Sequence, residues 1–249
     1  MQFVDFGKIG LLDGNIDELY KRLRTNIQFC GDDIKVLEIV SSVPNEGKTT
    51  VSFNLAVSFA QSGKKVIFID ADLRNSVMLG RYRINGATKG LTHYLSGVCS
   101  FDQVVCATNM SNLHVVFSGP VPPNPAELLG NKYFKSLVKI LRESYDYVII
   151  DTPPVGRVID AAVIAGECDG AAIVVSSGEV SYKLIQRIKN QIEKAGCQIL
   201  GVILNKAPVG KGKYGKYGKY GSYGSYGDYG DYGEYGNYGK KNNRSSSKK

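Results

Sequence analysis

The residues best equipped for chemistry in this 249-residue chain stand in three short segments. The first, Ser42-Val43-Pro44-Asn45-Glu46-Gly47-Lys48-Thr49, fits the phosphate-loop pattern with Ser in place of its first Gly. Backbone N–H groups at such a turn and the positive end of the following helix bind phosphate oxygens. Lys48 can reach a β/γ-phosphate and the Thr49 hydroxyl can ligate Mg²⁺. The nucleotide-binding stretch is therefore Pro44, Asn45, Glu46, Gly47, Lys48, Thr49 and Thr50. The other two segments put acids directly after apolar runs: Val66–Ile69 leads into Asp70-Ala71-Asp72-Leu73-Arg74, and Val148–Ile150 leads into Asp151-Thr152-Pro153-Pro154. A single such Asp would read as a turn or cap. Two of them beside a phosphate loop read as acids facing a crevice, where a divalent cation offsets their charge. Arg74 stands where it can contact an anion or form a structural salt bridge.

These segments need a frame that gathers them. Short apolar runs at 34–41, 65–70, 113–118, 147–151, 171–176 and 198–205 alternate with helix-length stretches at 49–61, 125–141 and 181–195. Strands without polar alternation, each followed by a helix, predict an α/β fold with a mostly parallel sheet and helices on both faces. Ligands of such sheets sit at the carboxyl ends of the strands, where the acids lie. Residues 15–29 form a further amphipathic helix, with Ile16, Leu19, Tyr20, Leu23 and Ile27 at helical spacing.

Composition narrows the function. The formal charge is +8, but residues 209–249 hold nine Lys/Arg against three Asp/Glu, which leaves only +2 on the remaining body. A basic nucleic-acid groove on the folded part is not expected. The five cysteines form no C-x-x-C pair and read as reduced thiols. His93 and His114 have no partners at metal-ligand spacing. No apolar run approaches a bilayer span and no secretory signal opens the chain, so a cytoplasmic location is expected.

The end of the chain is a low-complexity repeat: Tyr214, Tyr217, Tyr220, Tyr223, Tyr226, Tyr229, Tyr232, Tyr235 and Tyr238, each followed by Gly. Glycine at every third position opposes helix and strand, so a disordered tail over 209–249 is expected after a folded domain over 1–208. Such a tail either presents aromatic groups or offers hydroxyls as substrate.

Taken together, the loop around Lys48-Thr49, the Asp-x-Asp-x-Arg segment at 70–74, the Asp-x-x-Pro segment at 151–154, the Pro-Pro-Asn-Pro-Ala-Glu-Leu-Leu core at 122–129 and the tyrosine cluster resemble the bacterial protein-tyrosine kinases (BY-kinases). The resemblance is to the cytoplasmic capsular or exopolysaccharide kinases of the CpsD/CapB type, with a phosphate-loop NTPase-like fold. It implies ATP- and Mg²⁺-dependent autophosphorylation of the tail, with Lys48 on the transferring phosphate and Thr49, Asp70 and Asp151 on the metal. Asp72 is the candidate for orienting or deprotonating the tyrosine hydroxyl, and Asp70 the competing one. The family's assembly motif corresponds to Glu18, Lys21 and Arg24, with Lys where the family has Arg. That motif implies a homo-oligomeric ring, with an octamer as the candidate size, while the tail is unphosphorylated. The family further implies a membrane-embedded polysaccharide co-polymerase as activator, which recruits the kinase to the inner face of the membrane, and an opposing tyrosine phosphatase. Two rival readings are a partitioning-type ATPase, which calls for a Lys where Val43 stands, and a nucleic-acid binder using the Tyr/Gly/Lys tail.

Overall fold

The computed structural model describes residues 1–7, 14–82, 84, 89–156 and 159–207; the tail tyrosines Tyr214 to Tyr238 and the expected disorder of 209–249 lie outside the described residues. Eight strands form one sheet: β1 (Gln2–Val4), β2 (Val36–Ser41), β3 (Val66–Asp70), β4 (Val105–Thr108), β5 (Leu113–Val116), β6 (Tyr147–Asp151), β7 (Gly170–Ser176) and β8 (Gln198–Asn205). The helices are α1 (Gly14–Gln28), α2 (Lys48–Gln61), α3 (Met78–Arg81), α4 (Leu91–Leu95), α5 (Pro125–Leu129), α6 (Lys132–Ser144), α7 (Asp160–Ala165) and α8 (Tyr182–Lys194). The strand order is β1-β4-β5-β3-β6-β2-β7-β8, parallel throughout except between β4 and β5. The mostly parallel α/β architecture is as expected from the sequence. The small antiparallel edge made by β4 and the three-residue β1 is an addition to it.

The central strands are buried on both faces, which is why they read as unbroken apolar runs. On one face Leu37, Ile39, Phe68, Val115 and Ile149 pack against Phe53, Phe59 and Ile27 of α2 and α1. On the other face Val36, Ile67, Ile69, Val148 and Ile150 pack under α4 and α6, while Val40, Ile173 and Val175 pack under α7 and α8. Phe6 joins the first core, its ring 4.7 Å from that of Phe53 and 5.7 Å from that of Tyr82.

Helix α2 carries the phosphate loop into the core, and its sequence is apolar or small all round, as a fully enclosed helix must be. From Val51 to Ala60 every residue is buried. It stops at Ser62-Gly63: the Gly63 N–H bonds Ala60 O at 3.0 Å and the Lys64 N–H bonds Phe59 O at 3.3 Å, with Gly63 at φ +86°. This is a Schellman termination, which a glycine accommodates without strain. The single helix expected over 125–141 is divided into α5 and α6. Gly130 ends the first, and the Asn131 side chain restarts the second by accepting from the N–H groups of Tyr133 and Phe134 at 2.9 and 3.0 Å.

Candidate active site

Five parallel strands deliver their carboxyl ends to one side of the sheet, at Ser41, Asp70, Asp151, Ser176 and Asn205. The phosphate loop leaves the first of these. Its turn requires two left-handed residues, Asn45 at φ +67° and Gly47 at φ +88°. Asn tolerates that conformation better than most residues. Gly47 is required on a second count, because a Cβ there would lie 2.1 Å from Asn205 Nδ2. The loop is held from behind by the buried Glu46 carboxylate. Its Oε2 accepts from the N–H groups of Ser42 and Val43 at 2.5 and 2.8 Å, and its Oε1 accepts from the Ser176 N–H at 3.3 Å. The end of β8 braces the outer side. Asn205 Nδ2 donates to Glu46 O at 2.8 Å and Lys206 Nζ to Asn45 O at 2.6 Å. Shaped this way, the loop leads into α2 with the backbone N–H groups of its first turn lacking helical partners.

Lys48 points along the strand ends. Its Nζ donates to Asp151 Oδ1 at 2.7 Å, and Ser52 Oγ approaches the same oxygen at 3.0 Å. Both ion-pair partners are almost fully buried, and Asp151 Oδ2 has no partner among the described residues. Asp70 and Asp151 stand directly opposite each other across the paired strands β3 and β6. Burial and then the nearby Asp151 charge push the Asp70 carboxyl up to about 7, against the opposing bond from Ser76 Oγ to its Oδ2. Two carboxylates sharing one buried crevice do not both ionise easily. Asp72 is only partly buried. Its Oδ1 accepts from the N–H groups of Arg74 at 3.2 Å and Asn75 at 3.0 Å, which shapes the turn after β3, and burial moves its carboxyl above the usual range.

The structure thus gathers Lys48, Thr49, Asp70, Asp72 and Asp151 at one crevice. Arg74 is turned elsewhere: its Nε and Nη2 bind the fully buried Asp160 carboxylate at 2.7 and 2.9 Å, the structural one of its two readings. Thr50 Oγ1 accepts from Arg81 of α3. Glu18 and Lys21 stay on the exposed face of α1, where Lys21 pairs with Asp17 at 2.8 Å, whereas Arg24 donates to Ser58 O at 2.5 Å on α2. Three participants were not singled out in the sequence: Ser52, Ser76 and Asp160. Ser52 follows Lys48 by one helical turn and could have been found by that spacing. Asp160 is 86 positions from Arg74, and no local pattern announces it.

The donor set suits a nucleotide phosphate. It also suits a magnesium ion, which takes one or two carboxylates and completes its shell with water and phosphate oxygens; the orphaned Asp151 Oδ2 is a free acceptor for it. Residues 35–200 match the AAA domain family. Among curated relatives, the tyrosine-protein kinase CpsD of Streptococcus agalactiae is 48% identical over 190 residues, covering 76% of this chain and 83% of that protein. Among solved structures, the kinase domain of the Escherichia coli tyrosine kinase ETK superposes with a TM-score of 0.74 at 35% identity, covering 79% of each chain. The chimerical protein CapA2B2 superposes with a TM-score of 0.72 at 34% identity over 77% of this chain and 84% of that one. At this identity and coverage, the chain belongs to the bacterial tyrosine-protein kinases of the CpsD type.

Proposed function

We propose that this kinase transfers the γ-phosphoryl group of ATP to the tyrosines of its own repeat, Tyr214 to Tyr238, and thereby regulates capsular or exopolysaccharide synthesis and export. The observation that carries the reading is the buried Lys48–Asp151 pair, with Asp70 in register beside it, in a chain that ends in nine Tyr-Gly units. In the transfer a tyrosine oxygen attacks phosphorus, the bond to the β-phosphate oxygen breaks, and the phenolic proton must leave. A phenol with a pKa near 10 is a weak nucleophile at neutral pH, so an adjacent carboxylate assists. Asp72 is the better placed of the two candidate acids, because it is partly exposed, while Asp70 is enclosed and held by Ser76. The loop amides and Lys48 hold the phosphates, and positioning of this kind supplies most of the rate in phosphoryl transfer. A magnesium ion held by Thr49, Asp70 and Asp151 would supply neutralisation of phosphate charge.

Delivery of the tail between neighbouring subunits is our preferred route. Forty-one Gly-rich residues have an r.m.s. span of roughly 35 Å, enough to reach a neighbour's site. The exposed Glu18 and Lys21 on α1 support assembly there. Each phosphate adds about −1.5 to −2, so roughly three or four of them cancel the tail's positive charge. Phosphorylation then drives disassembly, and sedimentation of modified and unmodified protein at the same size would count against that step. The family resemblance implies an opposing tyrosine phosphatase and, as activator, a membrane-embedded polysaccharide co-polymerase. No helix among the described residues is long and apolar enough to cross a membrane itself, so this partner recruits the kinase to the inner face.

The deciding experiment is phosphosite mass spectrometry with and without ATP on the wild type and on Lys48→Met. Phosphate confined to Tyr214–Tyr238 and absent from the variant is the expected result; phosphate elsewhere, or an unaltered variant, refutes the assignment.

A further inference from the structure

Strand β2, which leads into the phosphate loop, contains one residue that its setting does not explain. Glu38 is completely buried, and neither carboxyl oxygen has a hydrogen-bond partner among the described residues. It alternates with Leu37 and Ile39, so it faces the layer under α6, α7 and α8, on the same side as Val36 and Val40. An unpartnered polar group in such a place is destabilising, so a tolerant core would hold an apolar side chain there. Burial, opposed in part by the Lys48 charge and by the Thr152 hydroxyl, pushes this carboxyl well above the ordinary glutamate range, which favours its neutral, proton-bearing form.

Its polar neighbours direct their protons elsewhere, the nearby Lys48 ammonium to Asp151 Oδ1 at 2.7 Å. The Thr152 hydroxyl is the side chain close enough to bias the Glu38 carboxyl by hydrogen bonding, and its own proton is directed to Ile39 O at 3.0 Å. A charge on Glu38 would raise the thiols of Cys168 and Cys197, which therefore share its neighbourhood. Their protons point to Ile164 O at 3.4 Å and Gln198 O at 3.8 Å. A hydroxyl has one proton and two lone pairs. What Thr152 can present to Glu38 is thus an acceptor, matched by the neutral acid and by no other form of it.

Thr152 directly follows Asp151, and Ile39 is the register partner of Asp151 across β2 and β6. The group at this seam sits between the strand that carries the loop and the strand that carries the acid gripping Lys48. We propose that Glu38 is a positioning residue for the phosphoryl-transfer site, its carboxyl O–H donating to Thr152 Oγ1 and so holding the ends of β2 and β6 in the register that aims Asp151. Glu38 touches neither nucleotide nor tyrosine; it acts through Thr152.

This inference rests on the kinase reading for its activity readout, and a second readout stands apart from it. Three variants test it: Glu38→Leu, Glu38→Gln and Thr152→Val. Glu38→Leu replaces an unpartnered acid by an apolar side chain of similar size, so its melting temperature stays level or rises. Its kcat for phosphotyrosine formation falls about tenfold, since small misplacements at a reacting centre are costly, while KM for ATP holds within about twofold. Glu38→Gln keeps an N–H donor and stays within about threefold of the wild-type kcat. Thr152→Val loses as much as Glu38→Leu, and the double variant loses no more than either alone. Amide exchange of residues 147–156 in nucleotide-free protein, faster in Glu38→Leu despite its higher melting temperature, reports the loosened seam without turnover. A merely structural residue would move stability and leave kcat alone. Unchanged kcat and exchange in Glu38→Leu, a Gln variant as impaired as Leu, or additive losses in the double variant each overturn the proposal. Should Glu38→Leu not fold, the Gln and Thr152→Val pair decides it. Absence of phosphotyrosine in the wild type would sink the kinase reading and leave the exchange data to judge this one.

Discussion

Lys48→Met is the natural inactivating substitution at this site, and the structure predicts that it is not silent for folding. The Lys48 ammonium is 7% exposed and its partner Asp151 1% exposed. Removing the ammonium leaves a buried carboxylate supported by Ser52 alone, with Oδ2 already unpartnered. Breaking one side of a buried pair costs about 3–5 kcal/mol when the other charge stays. Part of that returns because the ammonium no longer has to be desolvated, so a net loss of about 2–3 kcal/mol at pH 7 is expected. Urea unfolding of nucleotide-free protein at pH 7, followed by circular dichroism, measures it. Lys48→Met/Asp151→Asn removes the stranded charge and should recover most of the loss. A Lys48→Met protein that unfolds with the wild type, or a double variant no better than the single, refutes the account.

Asp70, raised to about 7, binds a proton more tightly folded than unfolded, so its contribution is present below about pH 4 and is lost as pH rises through 7. Nucleotide-free Asp70→Asn should melt with the wild type near pH 4 and clearly above it at pH 7.5; parallel pH profiles would contradict this. Gly47→Ala combines a positive φ with a collision against Asn205 and should cost about 2–3 kcal/mol. Adding Asn205→Ala relieves the collision, so the double variant should melt above Gly47→Ala, and simple additivity would count against that geometry. Arg74→Ala strands the buried Asp160 carboxylate and should cost about 2–4 kcal/mol in thermal unfolding, with Arg74→Ala/Asp160→Asn less affected.

Much of this architecture is legible in the chain because its strands are enclosed on both sides. β6 begins and ends where its apolar run does, at Tyr147–Asp151, and the wholly buried β7 does so within a residue, at Gly170–Ser176. The phosphate loop and its acids are legible for the same reason, since each follows a run that can only be a central strand. What escapes is set by contacts distant in the chain. β4 is four residues, Val-Cys-Ala-Thr, and becomes a strand only by pairing antiparallel with β5. The division at Gly130-Asn131 depends on an Asn whose amide also reaches Leu95 O, 36 positions away. Glu46 looks like a loop residue facing phosphate, yet its side chain turns inward to Ser176, 130 positions on. Glu38 interrupts a strand pattern without breaking it, and only its burial reveals that it is an anomaly.

The enclosure of α2 has a thermodynamic consequence of its own. The helix behind the loop is walled in by the sheet and by α1, and the loop residues ahead of it are clasped by the protein's own Glu46, Asn205 and Lys206. A site shaped in advance spends little of its binding energy on ordering itself. Nucleotide capture should therefore be fast, with a small heat-capacity change beyond that of the area covered. The mould also has a cost in evolvability: charges and bulk are admitted on α1, α6 and α8, while the phosphate-bearing helix can accept little beyond exchanges of like volume.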